Sequence, residues 1–286
     1  MKDKIILITG ATSGIGFQTA LALAKMGAQV IVTGRSKTSA EEAVTKLKDA
    51  SGNLRVDFLL ADLSAQKNVR ALAEQFKARH ERLDVLINNA GLAASKKELT
   101  EDGLESDFAM NVVAPFLLTH LLMGSLKKSS SPRVVTLMGG DVPATLDMDN
   151  LQSEKSFDGL NTYSQTKLAM MALMYEFAQR EKGVTINVCY PGQASTNMTR
   201  SVTPEMLPRA MRWMFPIFKL AVREDGGKSA TKASRSSVYL ASSSEVEGVT
   251  GKYFDTNCKE AAWSPAVMDV STREKLWNMV ENISKK

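Results

Sequence analysis

Tyr163 and Lys167 stand four residues apart in the segment YSQTK, and on a helix that interval places them one turn apart on the same face. A tyrosine, with a reference pKa of about 10, is a weak acid-base group at neutral pH, and a neighbouring ammonium favours its phenolate and lowers that value. The pair therefore suits transfer of a proton to or from an oxygen. Near the N-terminus, TGATSGIG (Thr9 to Gly16) follows a short apolar run and leads into a helical pattern. Glycines 10, 14 and 16 permit a tight turn, close approach of backbone to phosphate, and close helix-strand packing, with a helix N-terminus aimed at a pyrophosphate. Their spacing is not G-x-G-x-x-G, so an ordinary glycine turn remains an alternative for this segment alone.

Three further stretches accompany these: ADLS (Ala61 to Ser64), NNAG (Asn88 to Gly91) and PGQAST (Pro191 to Thr196). Together with TGATSGIG and YSQTK, in this order and at these spacings, they resemble the short-chain dehydrogenase/reductase family over nearly the whole chain. NLQ (Asn150 to Gln152) and GKYF (Gly251 to Phe254) are similar to its retinol-dehydrogenase-like branch. The resemblance implies an oxidoreductase that moves hydride between a nicotinamide dinucleotide and a carbonyl or alcohol. It assigns Gly10, Thr12, Ser13, Gly14, Ile15 and Gly16 to the pyrophosphate loop. Asp62 and Leu63 would frame the adenine. Asn88, Asn89, Ala90 and Gly91 would hold the ribose side and fix the central strand, while Pro191, Gly192 and Thr196 would cover the nicotinamide. Tyr163 would be the proton donor, Lys167 would also hold the nicotinamide ribose, and Asn111 would order a water behind that lysine. Taken alone, Asp62 reads equally as a strand-end cap and Pro191–Gly192 as a turn.

The end of the second strand, VTGRS (Val32 to Ser36), bears on cofactor choice. A site for NAD needs an acid there to accept from the ribose 2′-hydroxyl. Gly34 takes that place, and Arg35 follows with a fork that can grip a 2′-phosphate. NADP(H) is the expected cofactor.

One family feature is missing. The strand before the tyrosine helix would end in a pair of serines, the second donating to the substrate carbonyl, but VVTLMGGD (Val134 to Asp141) places Gly139 there, or Gly140 if the gap falls differently. Thr136 lies inside the strand, too deep to reach. Asp141 donates only when protonated, and Thr145 would have to fold back from the loop. Backbone N–H groups of the two glycines, or a water in the hydroxyl's place, are the other substitutes. Loss of one such donor costs about 2.7–4 kcal/mol. The expectation is an atypical enzyme; the alternative is a catalytically silent NADP(H)-binding sensor or partner subunit.

The elements that must position these residues alternate between strand and helix, the pattern of a doubly wound parallel sheet. Short β-branched runs predict strands at Ile5 to Thr9, Val30 to Thr33, Arg55 to Leu60, Val85 to Asn88, Arg133 to Leu137 and Thr185 to Tyr190. Amphipathic segments include Phe17 to Met26, Ala40 to Lys48 and Val69 to Arg79. The 286 residues fit one α/β domain spanning 1–286. A small helical insertion, 197–227, would lie over the substrate site beyond the strand carboxyl ends. In it Leu207, Met211, Met214 and Phe218 recur at helical spacing and read either as packing for a flap or as a wall, with Met214 touching substrate beside Gly139 and Gly140, for a bulky apolar molecule. Membrane-surface contact through Trp213 to Phe218, supported only by Arg209, Arg212 and Lys219, ranks behind both.

A net charge of +5 is spread among interspersed acids and bases, which argues against nucleic acid as a partner. Two cysteines, Cys189 and Cys258, suit a reducing, cytoplasmic setting. No targeting segment or bilayer-spanning run is evident, so a soluble protein is expected. His80 and His120 stand without companion ligands, so no metal site is expected. The helices Leu104 to Leu126 and Thr162 to Arg180 are apolar beyond one face, and the resemblance implies that they pair between subunits in a homodimer or homotetramer; packing within the chain is the alternative.

Overall fold

The computed structural model describes residues 1–139, 143–207, 209–223 and 225–285, the side chains of 209–211 and 221 excepted. Among these the strands are β1 (Ile5–Ile8), β2 (Gln29–Gly34), β3 (Val56–Leu60), β4 (Val85–Asn88), β5 (Arg133–Leu137), β6 (Thr185–Cys189), β7 (Tyr253–Phe254) and β8 (Glu260–Ala261). They form one sheet in the order β3-β2-β1-β4-β5-β6-β7-β8. Every neighbouring pair is parallel except β7 with β8.

The order reverses between β1 and β4, where Ile8 pairs with Ile87. The crevice beyond the strand ends at such a reversal is where doubly wound sheets bind ligands. β1, β4 and β5 carry runs of buried residues because both sheet faces are covered, whereas edge strand β3 exposes Asp57 and Leu60. The six predicted strands are all present within a residue or so at each end. β7 and β8 are too short for any periodicity to announce them.

Helices α1 (Gly14–Lys25) and α2 (Lys37–Ser51) cover one face, together with α9 (Lys228–Ala233) and α10 (Arg235–Ser242). The other face carries α3 (Gln66–Arg79), α4 (Ser106–Phe108), a π-helical turn (Ala109–Val113), α5 (Ala114–Leu126) and α6 (Gly159–Arg180). After β6 come α7 (Asn197–Arg200), two 3-10 turns (Pro204–Met206 and Arg209–Met214) and α8 (Phe215–Ala221). The chain closes with α11 (Pro265–Met268) and α12 (Val270–Ile283).

The helical run Ser106–Leu126, with a mean hydropathy of 1.5, is long and apolar enough to cross a membrane by composition, contrary to the expectation that no such run exists. It is nevertheless a core helix, with 83% of its apolar window buried. The apolar excess of α5 and α6 also has a partner within the chain. Trp277 of α12 packs edge-on against Phe116 and Phe177, at centroid distances of 5.0 and 4.7 Å. Arg180 stacks 4.2 Å from the Trp277 ring, and the buried Arg273–Glu176 pair, 3.0 Å apart, ties α12 to α6. The protein's own C-terminal helix thus packs on part of this apolar surface.

Candidate active site

The glycine loop is built by close approach. Gly10 (φ +62°) and Gly14 (φ +58°) adopt left-handed backbone that side chains disfavour. A Cβ on Gly10 would lie 2.9 Å from Ala90 Cα, and one on Gly16 would lie 2.8 Å from the Gly10 carbonyl oxygen. Asn89 Nδ2 donates to the carbonyls of Thr9 (2.8 Å) and Gly10 (3.0 Å), while Thr9 Oγ1 accepts from Asn89 and Ala90 N–H, both at 3.0 Å. The NNAG segment therefore braces the loop. At the start of α1, Ser13 makes no side-chain cap and the first turn carries no acid. Its orphan N–H donors suit an anion.

The side chains of the motif are engaged within the fold. Asn88 is buried, donating to Thr119 Oγ1 (3.1 Å) and Thr136 Oγ1 (3.3 Å). It ties the central strand to α5 and β5. The side-chain amide of Asn89 is likewise committed to the loop. Asp62 Oδ1 accepts from Ser64 N–H (3.1 Å) and Oγ (2.8 Å), the strand-end cap that was the alternative, and Leu63 is buried in the core.

The segment after β6 folds back over the loop. Gly192 (φ +81°) turns the chain against Thr256, and Thr196 caps α7 in a reciprocal arrangement with Thr199. Thr196 Cγ2 comes 3.2 Å from the position a Cβ would take on Gly14, and Asn197 Nδ2 lies 3.5 Å from Ser13 Oγ. Pro191, Gly192 and Thr196 thus close the same cleft that Gly10 to Gly16 open. Ile15 packs partly buried beneath the loop.

At the end of β2, a Cβ on Gly34 would stand 2.6 Å from Thr12 Cγ2. The missing acid is therefore matched by a threonine methyl in its space. Arg35 is exposed, and no carboxylate pairs with it among the described residues.

Tyr163 and Lys167 lie one turn apart on α6, both nearly enclosed, with Lys167 Nζ 5.9 Å from the tyrosine ring centroid and donating to the Leu137 carbonyl at 3.2 Å. Asn111 sits in the π-helical turn. Its Oδ1 accepts from Leu92 N–H (2.9 Å), and its Nδ2 donates to Leu92 O (2.8 Å) and Thr166 Oγ1 (3.0 Å). Thr166 in turn donates to the Tyr163 carbonyl at 2.7 Å. Asn111 Oδ1 and Lys167 Nζ each lie 3.3 Å from where a Cβ on Gly91 would be, so that glycine is what lets the two side chains converge.

Burial, aided by the Asp107 carboxylate and by Tyr190, raises the Tyr163 phenol above its ordinary value. The expected lowering by Lys167 is not what this arrangement produces: the ammonium is itself drawn down to about 8 by burial, with Asp107 pulling the other way. Burial thus favours the neutral form of both side chains.

Gly139 lies against Tyr163, its absent Cβ coinciding with the space of the tyrosine hydroxyl. Gly140 and Asp141 lie outside the described residues. Met138 is buried in the core, Thr136 is buried within β5 as expected, and Thr145 is exposed. None of these three brings a hydroxyl to Tyr163. Met214 stands at the end of a 3-10 turn, 36% exposed, and Trp213 is 73% exposed. The stripe expected to form an inner wall divides, with Leu207 buried, Met214 outward and Met211 outside the described side chains.

Two carboxylates escaped the sequence reading. Glu105 and Asp107, both fully buried, open the helical run of α4. Glu105 accepts from the N–H groups of Asp107 (3.0 Å) and Phe108 (2.9 Å). Asp107 Oδ1 accepts from Ala94 N–H (2.9 Å), while Oδ2 has no hydrogen-bond partner among the described residues. Burial, then Glu105, pushes Asp107 up to about 7. Two acids within three residues at the start of an otherwise apolar helix were the available signal.

The sequence model of the family described as short chain dehydrogenase matches residues 4–207. Human retinol dehydrogenase 14 is 39% identical over 98% of this chain and 86% of its own. Human polyprenol dehydrogenase is 33% identical over 96% and 83%. A crystal structure of a short chain dehydrogenase from Shigella flexneri, complexed with NADP, aligns over 90% of this chain and 98% of its own with a TM-score of 0.66 at 22% identity. With a family match across most of its length, and relatives of this identity spanning almost all of it, the chain belongs to the short-chain dehydrogenase/reductase family, in its retinol-dehydrogenase-like branch.

Proposed function

We propose that the protein is an NADP(H)-dependent oxidoreductase acting on the carbonyl or alcohol of a bulky apolar molecule, without the serine donor usual at its site. The observation that carries this reading is the packing of Tyr163 and Lys167 against Gly139, just beyond the end of β5, in the crevice that begins at the uncapped N-terminus of α1. Gly10, Gly14 and Gly16 leave the backbone open to a pyrophosphate, and Thr196 closes over it. Arg35, which pairs with no carboxylate among the described residues, supports a 2′-phosphate, and the Thr12 methyl occupies the space of the acid that would oppose one.

Gly10, Gly14, Gly16, Arg35 and Thr196 would hold a nicotinamide dinucleotide there, which would supply the hydride for the carbonyl carbon. Tyr163 gives its proton to the carbonyl oxygen, and Lys167 stabilises the phenolate left behind until a proton returns. Thr166, which donates to the Tyr163 carbonyl and accepts from Asn111, ties the α6 backbone at this pair to the π-helical turn and through it to Leu92. The substrate class is supported by the names of the two relatives, retinol and polyprenol dehydrogenase, both of which specify long apolar alcohols.

The test is consumption of NADPH against a series of apolar aldehydes and ketones of increasing length. Turnover that rises with chain length and disappears in Tyr163→Phe supports the proposal. Tight NADPH binding with no turnover on any of them would return the sensor reading in its place.

A further inference from the structure

Three glycine contacts run along one face of α6. Gly159, Tyr163 and Lys167 follow one another at intervals of four, so they stack on successive turns of the same side. Lys167 Nζ comes up against Gly91 and the Tyr163 hydroxyl against Gly139. At the third turn the roles are exchanged: α6 supplies the glycine, and another segment lies on it. A Cβ at position 159 would stand 2.6 Å from the Met206 carbonyl oxygen and 2.7 Å from its Cα. The φ of Gly159 is +23°, so backbone and space both favour glycine there. The backbone of Met206 thus rests on the face that carries the reacting tyrosine, one turn beyond it and on the side away from Lys167.

The turn that brings Met206 there is firmly held. In the 3-10 turn Pro204–Met206, the Met206 N–H donates to Thr203 O and the Leu207 N–H to Pro204 O, both at 3.1 Å. Arg212 donates to the carbonyls of Glu205 (3.2 Å) and Leu207 (3.3 Å). The first turn of α6 is itself braced, since Ser153 Oγ lies 3.5 Å from Thr162 Oγ1 and Lys97 Nζ donates to the Ser153 carbonyl at 2.6 Å. Met206 is 1% exposed, yet it joins neither of the apolar cores that cover the two faces of the sheet. Its thioether is therefore enclosed between the segment after β6 and the start of the tyrosine helix.

We propose that Met206, seated on Gly159, is a specificity-determining residue that bounds the cleft at its substrate end. It limits the width of the group beside the carbonyl, so unbranched chains reach Tyr163 and carbonyls carrying a ring at that point do not. The bulk of the substrate then lies along its length, away from the reacting carbon. A methionine side chain can change rotamer, but its backbone, set on α6 without an intervening Cβ and stapled by Arg212, cannot retreat. The proposal rests on the redox reading above and narrows its substrate class.

Octanal and cyclohexanecarbaldehyde, which places a ring beside the carbonyl, test it in the NADPH-loaded protein. The parent should favour octanal. Met206→Ala should move the ratio of kcat/KM toward the ring aldehyde by about tenfold or more, the scale on which an apolar pocket registers a methylene. Met206→Leu, close in volume, should stay near the parent's ratio. Gly159→Ala, which pushes the turn off α6, should move the ratio the same way and add little to Met206→Ala, because both act on one wall. NADPH affinity unchanged in Met206→Ala certifies its fold. A ratio that stays put in Met206→Ala, or moves as far in Met206→Leu, would overturn the proposal. The wall is also read without turnover, by calorimetric titration of octanol and cyclohexylmethanol into the protein saturated with NADP⁺, where the same change of preference is expected. A parent that reduces neither aldehyde while Met206→Ala still shifts the preference between the alcohols sinks the redox reading and keeps the wall; no shift in the alcohols removes the wall as well.

Discussion

The hydroxyl of Tyr163 fills the space that a side chain on Gly139 would need. Gly139 does not have the positive φ that would itself demand glycine, so the backbone there accepts a side chain and only the tyrosine forbids it. The absent serine and the position of the proton donor are one structural fact. Gly139→Ser should therefore displace Tyr163 and lower native turnover, by about 10² for a shift near 1 Å. Gly139→Ala should fall by a comparable factor, since it brings the same Cβ without the hydroxyl. A serine variant that gained activity while the alanine variant lost it would show a restored donor instead.

Removing the proton should be separable from removing the site. Tyr163→Phe keeps the ring and its packing but takes away the transferable proton, and turnover should drop at least 10²–10⁴-fold, the usual contribution of a positioned general acid. NADPH affinity, read by fluorescence titration, should stay near the parent value. Lys167→Ala should damage both quantities, because Nζ contacts the Leu137 carbonyl and lies against Gly91, in the motif that braces the glycine loop. Unchanged affinity in Lys167→Ala would remove it from the cofactor site.

Cofactor preference should depend on Arg35 and on the contact between Gly34 and Thr12. Arg35→Ala should weaken NADPH by roughly tenfold to a hundredfold, the range of charge-assisted hydrogen bonds, and leave NADH almost untouched. Gly34→Asp alone should convert the preference poorly, because its Cβ meets the Thr12 methyl. Gly34→Asp with Thr12→Ala should convert it better. Dissociation constants for the two cofactors in all three proteins decide the matter.

Asp107 should give the protein a recognisable pH dependence. Its carboxyl, pushed up to about 7 by burial and by Glu105, holds a proton in the folded state that the unfolded chain releases near pH 4. Stability contributed this way is present at low pH and is lost as pH rises from about 4 to about 7. Asp107→Asn keeps an oxygen for Ala94 N–H and cannot ionise. Its melting temperature should therefore gain on the parent's across that interval. The groups that share its electrostatics are Glu105, Lys167 and Tyr163. Loss of the carboxylate should take Lys167 below about 8, moving the alkaline limb of turnover to lower pH. A melting difference independent of pH would contradict the assignment.

The C-terminal helix should behave as an integral cover. Trp277→Ala removes the ring wedged between Phe116 and Phe177, and about 3–5 kcal/mol of stability should go with it. The uncovered face of α5 and α6 should then associate, visible as a larger species in size-exclusion chromatography with light scattering. A destabilised variant of unchanged size would show that the face needs no cover.

What the sequence determined by itself is what short-range physics encodes. Tyr163 and Lys167 share a face because a helix turns every 3.6 residues, and the six long strands were legible because burial on both faces requires unbroken apolar runs. Glycines 10, 14 and 16 marked the loop through conformations and contacts that only they tolerate. The occupant of the serine position was readable too, as Gly139. What stands in that space was not: it depends on how the packing of β5 and α6 brings residues 24 positions apart into one volume. The same holds for Asn88 and Asn89, adjacent in one motif, where Asn88, the last residue of β4, directs its amide to Thr119 and Thr136, and Asn89, just beyond the strand, directs its own to the glycine loop. The upward shift of Tyr163, against the lowering that its lysine neighbour suggested, is also tertiary, since the water excluded from a phenol depends on everything packed around it. So is the outward turn of Trp213, Ile217 and Leu220. Helical spacing shows that side chains share a face, but only the packing of the neighbouring elements decides which way that face looks.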